Sequence, residues 1–164
     1  MITQEELKAL VQYDESTGKF IRLASKRGDA AYKETGTLTN KGYVLLWVNG
    51  KLQKAHRMAW LYVYGVLPPN DVDHINGIKS DNRIDNLRLA TRSENNQNRR
   101  FPNKNNAHCA IGVTRNKIGK YVAAITIDRK AIHLGCFETV EAASAAYQKA
   151  KRDLHPFAPT VITS

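Results

Sequence analysis

The chain has 164 residues, of which 25 are Lys or Arg and 15 are Asp or Glu, so its net charge is +10. This length predicts one domain or two small ones, and a hydrophobic content of 42% excludes a wholly disordered chain. Two cysteines, Cys109 and Cys136, are too few for a disulfide framework or a four-cysteine zinc site. Because no apolar run is long enough to span a membrane and the first residues lack a secretory signal pattern, we expect a cytoplasmic protein with no membrane partner.

The first element predicted along the chain is a short helix over residues 2–12. Thr3 is a suitable N-cap, and acidic residues follow it in the first turn. Leu7, Leu10 and Val11 are spaced to lie on one buried face of this helix.

The segments that follow predict small strands and one central helix. Apolar runs, turn residues and prolines place them as follows: short strands within 13–42, a strand over 43–48, a hairpin turn at Asn49-Gly50, a return strand over 51–55, a helix over 56–64 ended by Gly65, strands over 71–75 and 87–91, and a helix from Ser93 to about Arg100.

The C-terminal third predicts three strands and a helix after an Asn-rich linker at 101–110. The strands are expected at 111–115, 120–128 and 131–137, and an Ala-rich helix with Thr139 as its cap at 139–151. Alternation along the strands predicts that Tyr121, Ala123, Ile125, Ile127, Ile132 and Leu134 face the helix. It predicts that Lys120, Val122, Ala124, Thr126, Ala131 and His133 face outward.

Most of the surplus positive charge lies in residues 91–120, where seven basic residues accompany a single acid, Glu94. The basic residues are Arg92, Arg99, Arg100, Lys104, Arg115, Lys117 and Lys120. Lys and Arg neutralise phosphates, so this stretch favours contact with a nucleic acid. A solvated linker that happens to be basic is the alternative.

The pair Asp73-His74 stands at the end of a predicted strand and carries the chemistry of a hydrolase. A carboxylate is a hard oxygen ligand suited to Mg²⁺, and a neutral imidazole can take a proton from water. Phosphodiester hydrolysis needs both functions, and neighbouring side chains of a strand point to opposite faces, so that each can do one of them. A lone Asp-His pair is weak support, since most such pairs are surface residues.

The residues around this pair strengthen the interpretation. Val72-Asp73-His74-Ile75-Asn76-Gly77, Asp81-Asn82-Arg83-Ile84-Asp85-Asn86-Leu87-Arg88-Leu89-Ala90-Thr91 and Ser93-Glu94-Asn95-Asn96 resemble the HNH nucleases of the homing-endonuclease type. Gly42-Tyr43, Val48-Asn49-Gly50-Lys51 and Ala55-His56-Arg57-Met58-Ala59-Trp60 also match that family, so the resemblance covers about residues 13–100. It implies a ββα-metal unit, in which two strands, a long loop and a helix surround one divalent ion.

The resemblance also implies a role for each matched residue. His74 is the general base that activates water, and Asn86 braces the loop and thereby orients His74. Asp73 and Asn95 are the metal ligands. An amide ligand implies an oxygen-rich site, which favours Mg²⁺, with Mn²⁺ as the alternative, and disfavours zinc.

Several assignments remain open from the sequence. Asn96 competes with Asn95 as the second ligand. Arg83 contacts the scissile phosphate or braces Asp81 or Asp85, and His56 is more typical of a hydrogen-bonded structural histidine than of a catalytic one. A zinc site is not expected, because His108, Cys109, His133 and Cys136 lack the spacing of zinc ligands.

A second resemblance covers roughly residues 107–155. Gly112-Val113, Gly119-Lys120-Tyr121-Val122-Ala123-Ala124-Ile125, His133-Leu134-Gly135-Cys136-Phe137 and Thr139-Val140-Glu141-Ala142-Ala143-Ser144-Ala145-Ala146-Tyr147 are similar to the Apetala-two/ERF DNA-binding domain. It implies a three-stranded antiparallel sheet packed on one helix, with the outer face of the sheet in the major groove.

The chain departs from that family at the positions that would contact bases. These positions hold Thr114, Asn116, Ile118, Thr126, Ala131 and His133 instead of the Arg and Trp of the plant pattern. Arg115, Lys117, Lys120, Arg129 and Lys130 remain as phosphate contacts. We therefore expect this unit to hold DNA with modest sequence preference.

Together these observations predict an α+β protein with four segments: an HNH nuclease domain over 1–100 with its motif core at 70–100, a linker at 101–110, a DNA-binding domain over 111–156 and a tail at 157–164. The predicted function is metal-dependent cleavage of double-stranded DNA, and the resemblance to the homing type implies a mobile, often phage-borne gene whose product acts in a bacterial cytoplasm. A homodimer is one route to cutting both strands. A DNA-binding regulator with a degenerate nuclease unit and a basic RNA-binding protein are the alternatives.

Overall fold

A computed structural model describes residues 2–23, 32–98, 106, 110–127 and 129–155, and the chain divides into two compact units, Met1–Thr91 and Arg92–Ser164. The division falls nine residues before the predicted domain boundary at 100. Arg99, Arg100, Lys104, most of the linker and the tail lie outside the described residues. The architecture is mixed α+β, with several small antiparallel sheets.

Eleven elements make up the first unit as described. In chain order they are α1 (Gln4–Leu10), β1 (Val11–Asp14), β2 (Lys19–Arg22), β3 (Lys33–Thr35), β4 (Thr37–Leu38), β5 (Val44–Val48), β6 (Lys51–Lys54), α2 (Ala55–Tyr64), β7 (Asp71–His74), a 3₁₀ turn (Ile84–Asn86) and β8 (Leu87–Ala90). Strands β1–β3 and β4–β6 form two three-stranded antiparallel sheets, and β7 pairs with β8.

The N-terminal helix is shorter than predicted. Thr3 is its N-cap, as expected, and exchanges hydrogen bonds with Glu6 in a capping box. The helix ends at Leu10, because Val11–Asp14 pairs with β2 as a strand instead of continuing the helix. Leu7 and Val11 are buried, but Leu10 is 37% exposed, so its predicted place on the buried face was wrong.

Strand β5 and helix α2 end where two local turn signals predict that they end. Asn49 and Gly50 both have positive φ in the turn between β5 and β6, which suits the twist of a hairpin. Gly65 adopts the left-handed conformation at the end of α2, and its N–H donates to the Leu61 carbonyl. Helix α2 begins at Ala55, directly after β6, and His56 lies in its first turn.

The hydrophobic core of the first unit draws on both ends of its sequence. Leu7 and Phe20 from the N-terminal helix and hairpin pack in one cluster with Leu46, Met58 and Leu61. Each of these side chains is at most 2% exposed. The N-terminal elements are therefore part of the scaffold that carries β7 and β8.

The second unit contains α3 (Arg92–Gln97), β9 (Val113–Arg115), β10 (Tyr121–Ile127), β11 (Lys130–Phe137) and α4 (Val140–Leu154). The three strands form an antiparallel sheet in the order β11-β10-β9. Thr139 caps α4 as predicted, because its hydroxyl accepts from the Ala142 N–H. Helix α3 begins at Arg92, so Ser93 lies within the helix and the prediction that it is the cap was wrong.

The side chains of the second sheet alternate largely as predicted. Ala123 and Ile125 are buried, whereas Thr126 and His133 are exposed. Ile132 was expected to face the helix but is 42% exposed. Ile132 lies on the edge strand β11, where it pairs with Ile125 of β10 beyond a register shift in the ladder. Its position at the edge of the sheet leaves it open to solvent.

Among the helices that the structure describes, none has the length and apolar character needed to cross a membrane.

Candidate active site

Strand β7 carries Asp73 and His74 at its C-terminal end, opposite β8. Asp73 is paired in register with Arg88, and His74 with Leu87. Both Nε and Nη2 of Arg88 donate to Oδ2 of Asp73, at 3.1 and 2.9 Å. The Asp73 carboxylate, 7% exposed, is thus held in place by a cross-strand charge.

His74 lies in a cluster of polar and aromatic side chains. Its ring is 4% exposed, and Nε2 is 3.3 Å from Oδ1 of Asn82. The ring of His56 meets it edge to face at 5.0 Å between centroids, and the ring of Tyr43 lies at 6.3 Å. Burial lowers the pKa of His74, although the hydrogen bond to Asn82 acts in the opposite direction. The imidazole is therefore neutral near pH 7, which is the state that can accept a proton.

His56 is buried beneath His74 in the first turn of α2. Burial lowers its pKa to about 3, and the charges of His74, Lys54 and Arg57 act in the same direction. Its buried Nδ1 has no hydrogen-bond partner among the described residues. The expectation of a fully hydrogen-bonded structural histidine was therefore wrong for this nitrogen, although the burial fits a structural place.

The loop between β7 and β8 is organised by Asn86. Its Oδ1 accepts from the Asn76 N–H at 3.0 Å, its Nδ2 donates to the Asp81 carbonyl at 2.7 Å, and its own carbonyl accepts from the Ile75 N–H at 2.9 Å. One buried side chain thereby joins the two ends of the loop 76–81. Hydrogen bonds from the Asn86 side chain to the backbone therefore hold this loop, in place of the regular backbone pairing of a strand.

Arg83 forms a two-pronged ion pair within the same loop. Its Nε and Nη2 donate to the two carboxylate oxygens of Asp81, at 2.9 and 2.7 Å. The Arg83 guanidinium lowers the pKa of Asp81 to about 2. The sequence left open whether Arg83 contacts the scissile phosphate, Asp81 or Asp85, and in the structure Arg83 pairs with Asp81.

A pair of exposed lysines lies against the Tyr43 ring, beside the histidines. The ammonium groups of Lys54 and Lys79 are 5.3 and 4.9 Å from the ring centroid, close enough for cation–π attraction. The surface next to His74 therefore carries two positive charges.

The two residues predicted as metal ligands belong to different compact units: Asp73 to the first and Asn95 to the second. In α3, Asn95 is half-buried and Asn96 is exposed. Within the described parts of the chain, no three His, Cys, Asp or Glu side chains are gathered as a metal cluster. The predicted donors, one carboxylate and one amide oxygen, match the preference of Mg²⁺ for oxygen.

Several of the predicted DNA contacts surround the turn before β10 in the second unit. Asn116 uses its amide oxygen to accept from the N–H groups of Ile118 and Lys120, so this oxygen holds the turn together. Lys120 forms an ion pair with Glu138, which raises the pKa of the lysine, and Nε of Arg115 donates to the Gly119 carbonyl. The remaining predicted contacts that are described are exposed: Lys117, Thr126, Arg129, Lys130 and His133.

Comparison with protein families identifies the region that contains Asp73 and His74. Residues 53–97 match the family model of the HNH endonuclease. The match supports an HNH nuclease unit in this part of the chain, although it covers less than half of the sequence. Comparisons with curated proteins and with solved structures gave no match. None of these comparisons supports the Apetala-two/ERF assignment, which stays a prediction.

The structure shows contacts to His74 and Asp73 from three side chains to which the sequence assigned no such contact. Asn82 is 2% exposed and touches His74, Arg88 holds Asp73, and His56 packs on His74. The predicted strands over 71–75 and 87–91 would place Asp73 opposite Leu89, so the sequence did not indicate the observed pairing of Asp73 with Arg88. The contact between His56 and His74 joins a helix to a strand, and no local pattern reports it.

Proposed function

We propose that this protein is a DNA endonuclease of the HNH homing type, which hydrolyses phosphodiester bonds in duplex DNA. The observation that carries the proposal is a buried, neutral imidazole beside an anchored carboxylate, within the segment that matches the HNH family model. A hydrolase of this kind needs a base near the scissile phosphate and an oxygen ligand for a cation.

In this proposal His74 removes the proton from the attacking water. Asp73 and Asn95 are the residues that would hold a divalent cation, with Mg²⁺ the best match to their oxygen donors and Mn²⁺ the second. When bound, such a cation stabilises negative charge on the phosphate and on the leaving oxygen. Asn86 keeps the loop next to His74 in one conformation through its two side-chain hydrogen bonds.

Positive side chains in both units supply contacts for the DNA backbone. Lys54 and Lys79 lie beside Tyr43 in the first unit, and Arg115, Lys117, Arg129 and Lys130 are exposed in the second. Contacts of this type bind phosphates without reading the sequence, which agrees with a net charge of +10.

The decisive experiment incubates the purified chain with supercoiled plasmid, with Mg²⁺ or with a chelator. We expect relaxed or linear product with Mg²⁺ alone. His74→Ala should slow cleavage about 100-fold or more, as the loss of a general base does. The same variant should bind duplex DNA with unchanged affinity, as measured by fluorescence anisotropy in chelator.

Strand β7 offers a matched pair of variants for the carboxylate. Asp73→Asn should abolish cleavage, whereas Asp71→Asn, two residues earlier on an exposed position of the same strand, should leave it intact. Equal cleavage by wild type and both His74→Ala and Asp73→Asn would contradict the proposed site.

A second candidate function is a DNA-binding regulator without catalysis. The burial of His74 and the pairing of Asp73 with Arg88 favour it, since both side chains already have partners. Binding of duplex DNA without any cleavage in Mg²⁺ or Mn²⁺ would identify this function.

A further inference from the structure

Asn82 is the most completely buried polar residue of the loop between β7 and β8. Its side chain is placed between two groups: Nδ2 donates to the Ser80 carbonyl at 3.1 Å, and Oδ1 faces Nε2 of His74 at 3.3 Å. Because the amide nitrogen is committed to Ser80, the atom directed at His74 is an oxygen. An amide oxygen only accepts hydrogen bonds.

The orientation of this amide determines which nitrogen of His74 carries the proton. A neutral imidazole has one N–H, and the acceptor on Asn82 places that N–H on Nε2. The lone pair that can take a proton from water is then on Nδ1. We propose that Asn82 is a positioning residue that fixes His74 in the Nε2–H form, and that the β1–β2 hairpin holds Asn82 in place. Only the use of Nδ1 in catalysis rests on the function proposed above.

The hairpin reaches the Asn82 backbone through a hydrogen bond. The hydroxyl of Tyr13 donates to the Asn82 carbonyl at 2.7 Å, in a buried position. Burial raises the pKa of Tyr13, so the phenol keeps the proton that it donates. The backbone that carries the positioning amide is thereby tied to strand β1.

The turn of the hairpin packs directly on the same backbone. A Cβ atom on Gly18 would lie 2.4 Å from the Arg83 nitrogen and 2.5 Å from the Asn82 carbonyl carbon. Gly18 also has φ of +72°, which disfavours any other residue. Glycine at this position therefore allows the hairpin to approach Asn82 more closely than any side chain would.

The hairpin lies outside residues 53–97, the segment matched to the HNH family. The support of His74 thus extends from β7 through Asn82 to residues near the N-terminus. A substitution in the hairpin is expected to change the state of an imidazole that it does not touch.

The first test measures the tautomer directly by two-bond ¹H–¹⁵N correlation spectra of the histidine rings, on the full chain without metal at pH 8. His74→Gln assigns the signal among the five histidines. We expect Nε2–H in the wild type. Asn82→Leu, which keeps the branched shape of the side chain but lacks the acceptor, should shift the signal towards the Nδ1–H form. A wild-type Nδ1–H form, or an unchanged tautomer in Asn82→Leu, would overturn the inference.

The second test compares two glycines with the same backbone conformation. Gly18 and Gly50 have φ of +72° and +74°, but nothing lies within 4 Å of a Cβ on Gly50. Gly18→Ala should displace Asn82, alter the His74 signal and lower kcat about 100-fold with little change in KM. Gly50→Ala carries the same backbone strain and should leave the His74 signal and kcat unchanged. Tyr13→Phe removes the hydrogen bond alone and should change the signal in the same direction, to a smaller extent.

The two readouts separate this inference from the proposed function. An Nε2–H signal that depends on Asn82 and Gly18, in a protein that cleaves no DNA, supports the role of Asn82 and contradicts the nuclease. Cleavage that requires His74 but is indifferent to Asn82→Leu and Gly18→Ala contradicts the role of Asn82 and supports the nuclease.

Discussion

An asparagine side chain organises a loop in each compact unit, but the two loops differ in their exposure to water. In the first unit Asn86 is buried and joins both ends of the loop 76–81, next to His74. In the second unit Asn116 is half-buried and holds a turn between exposed basic side chains. The same kind of hydrogen bond therefore holds a buried loop beside His74 in the first unit, and in the second unit it holds a turn that presents exposed basic side chains.

The difference predicts how each unit responds to substitution. Removing one partner of a buried hydrogen bond lowers the free energy of unfolding strongly, because the other partner cannot bond to water instead. Removing an exposed charged group lowers it little, but changes the long-range attraction to a polyanion. Changes in the first loop should thus affect stability and catalysis, and changes in the second turn should affect binding.

The largest expected difference between the two units is in how much stability each loses in acid, because His56 lies in the first unit. The pKa of His56 is about 3 in the folded chain and near 6.5 when unfolded, so the unfolded state binds the proton first as pH falls. The stabilisation from neutral His56 is complete above pH 6.5 and is lost progressively down to about pH 3. At pH 4.5 the loss from this group is about 3 kcal/mol.

Urea denaturation of the wild type and of His56→Phe at pH 7.5 and pH 4.5 measures this effect. The phenyl ring fills the same space without titrating, so the variant should lose about 3 kcal/mol less than the wild type between the two pH values. His133→Phe, at an exposed position of the second unit, should keep the wild-type pH dependence. An identical pH dependence in His56→Phe would show that His56 is not buried in its neutral form.

The two asparagines themselves provide the next comparison. Asn86→Leu leaves the Asn76 N–H and the Asp81 carbonyl without their partner and should lower the free energy of unfolding by about 2 kcal/mol. Asn116→Leu frees groups that water can reach and should cost about 0.5 kcal/mol. Thermal and urea denaturation followed by circular dichroism measures both values. Equal costs at the two positions would remove the distinction drawn between the loops.

The smallest expected effect concerns the basic turn. Lys117→Ala should weaken duplex binding several-fold and reduce the slope of log affinity against log salt by about 1, with kcat unchanged. Lys19→Ala provides the control, because this exposed lysine of the first unit is paired with Glu34 and should leave the slope unchanged. Anisotropy titrations at several salt concentrations distinguish these outcomes, and a wild-type slope in Lys117→Ala would exclude contact between this turn and DNA.

The sequence predicted features that depend on neighbouring residues. The caps at Thr3 and Thr139, the turn at Asn49-Gly50 and the end of α2 at Gly65 were confirmed, since each is set by the conformation of one or two residues. The end of α1 was misplaced because Val11 gains more from pairing with β2 than from another helical turn.

The site was predicted in part for the same reason. The sequence motif indicated Asp73, His74 and Asn86, and the match to the HNH family covers all three. It did not indicate that His56 would pack against His74 or that Arg88 would hold Asp73. These contacts depend on how a helix and two strands are placed, and spacing along the chain does not report that placement.

The shared core of the first unit has a consequence for how such a gene can be rearranged. Leu7 and Phe20 pack with Met58 and Leu61, which joins the N-terminal elements to the helix that carries His56. A recombination event that transferred only the codons for residues 53–97 would move the nuclease motif without half of its core. A cassette that keeps this core together therefore has to begin with the N-terminal helix and run to residue 97, where the match to the HNH family ends, beyond the unit boundary at Thr91.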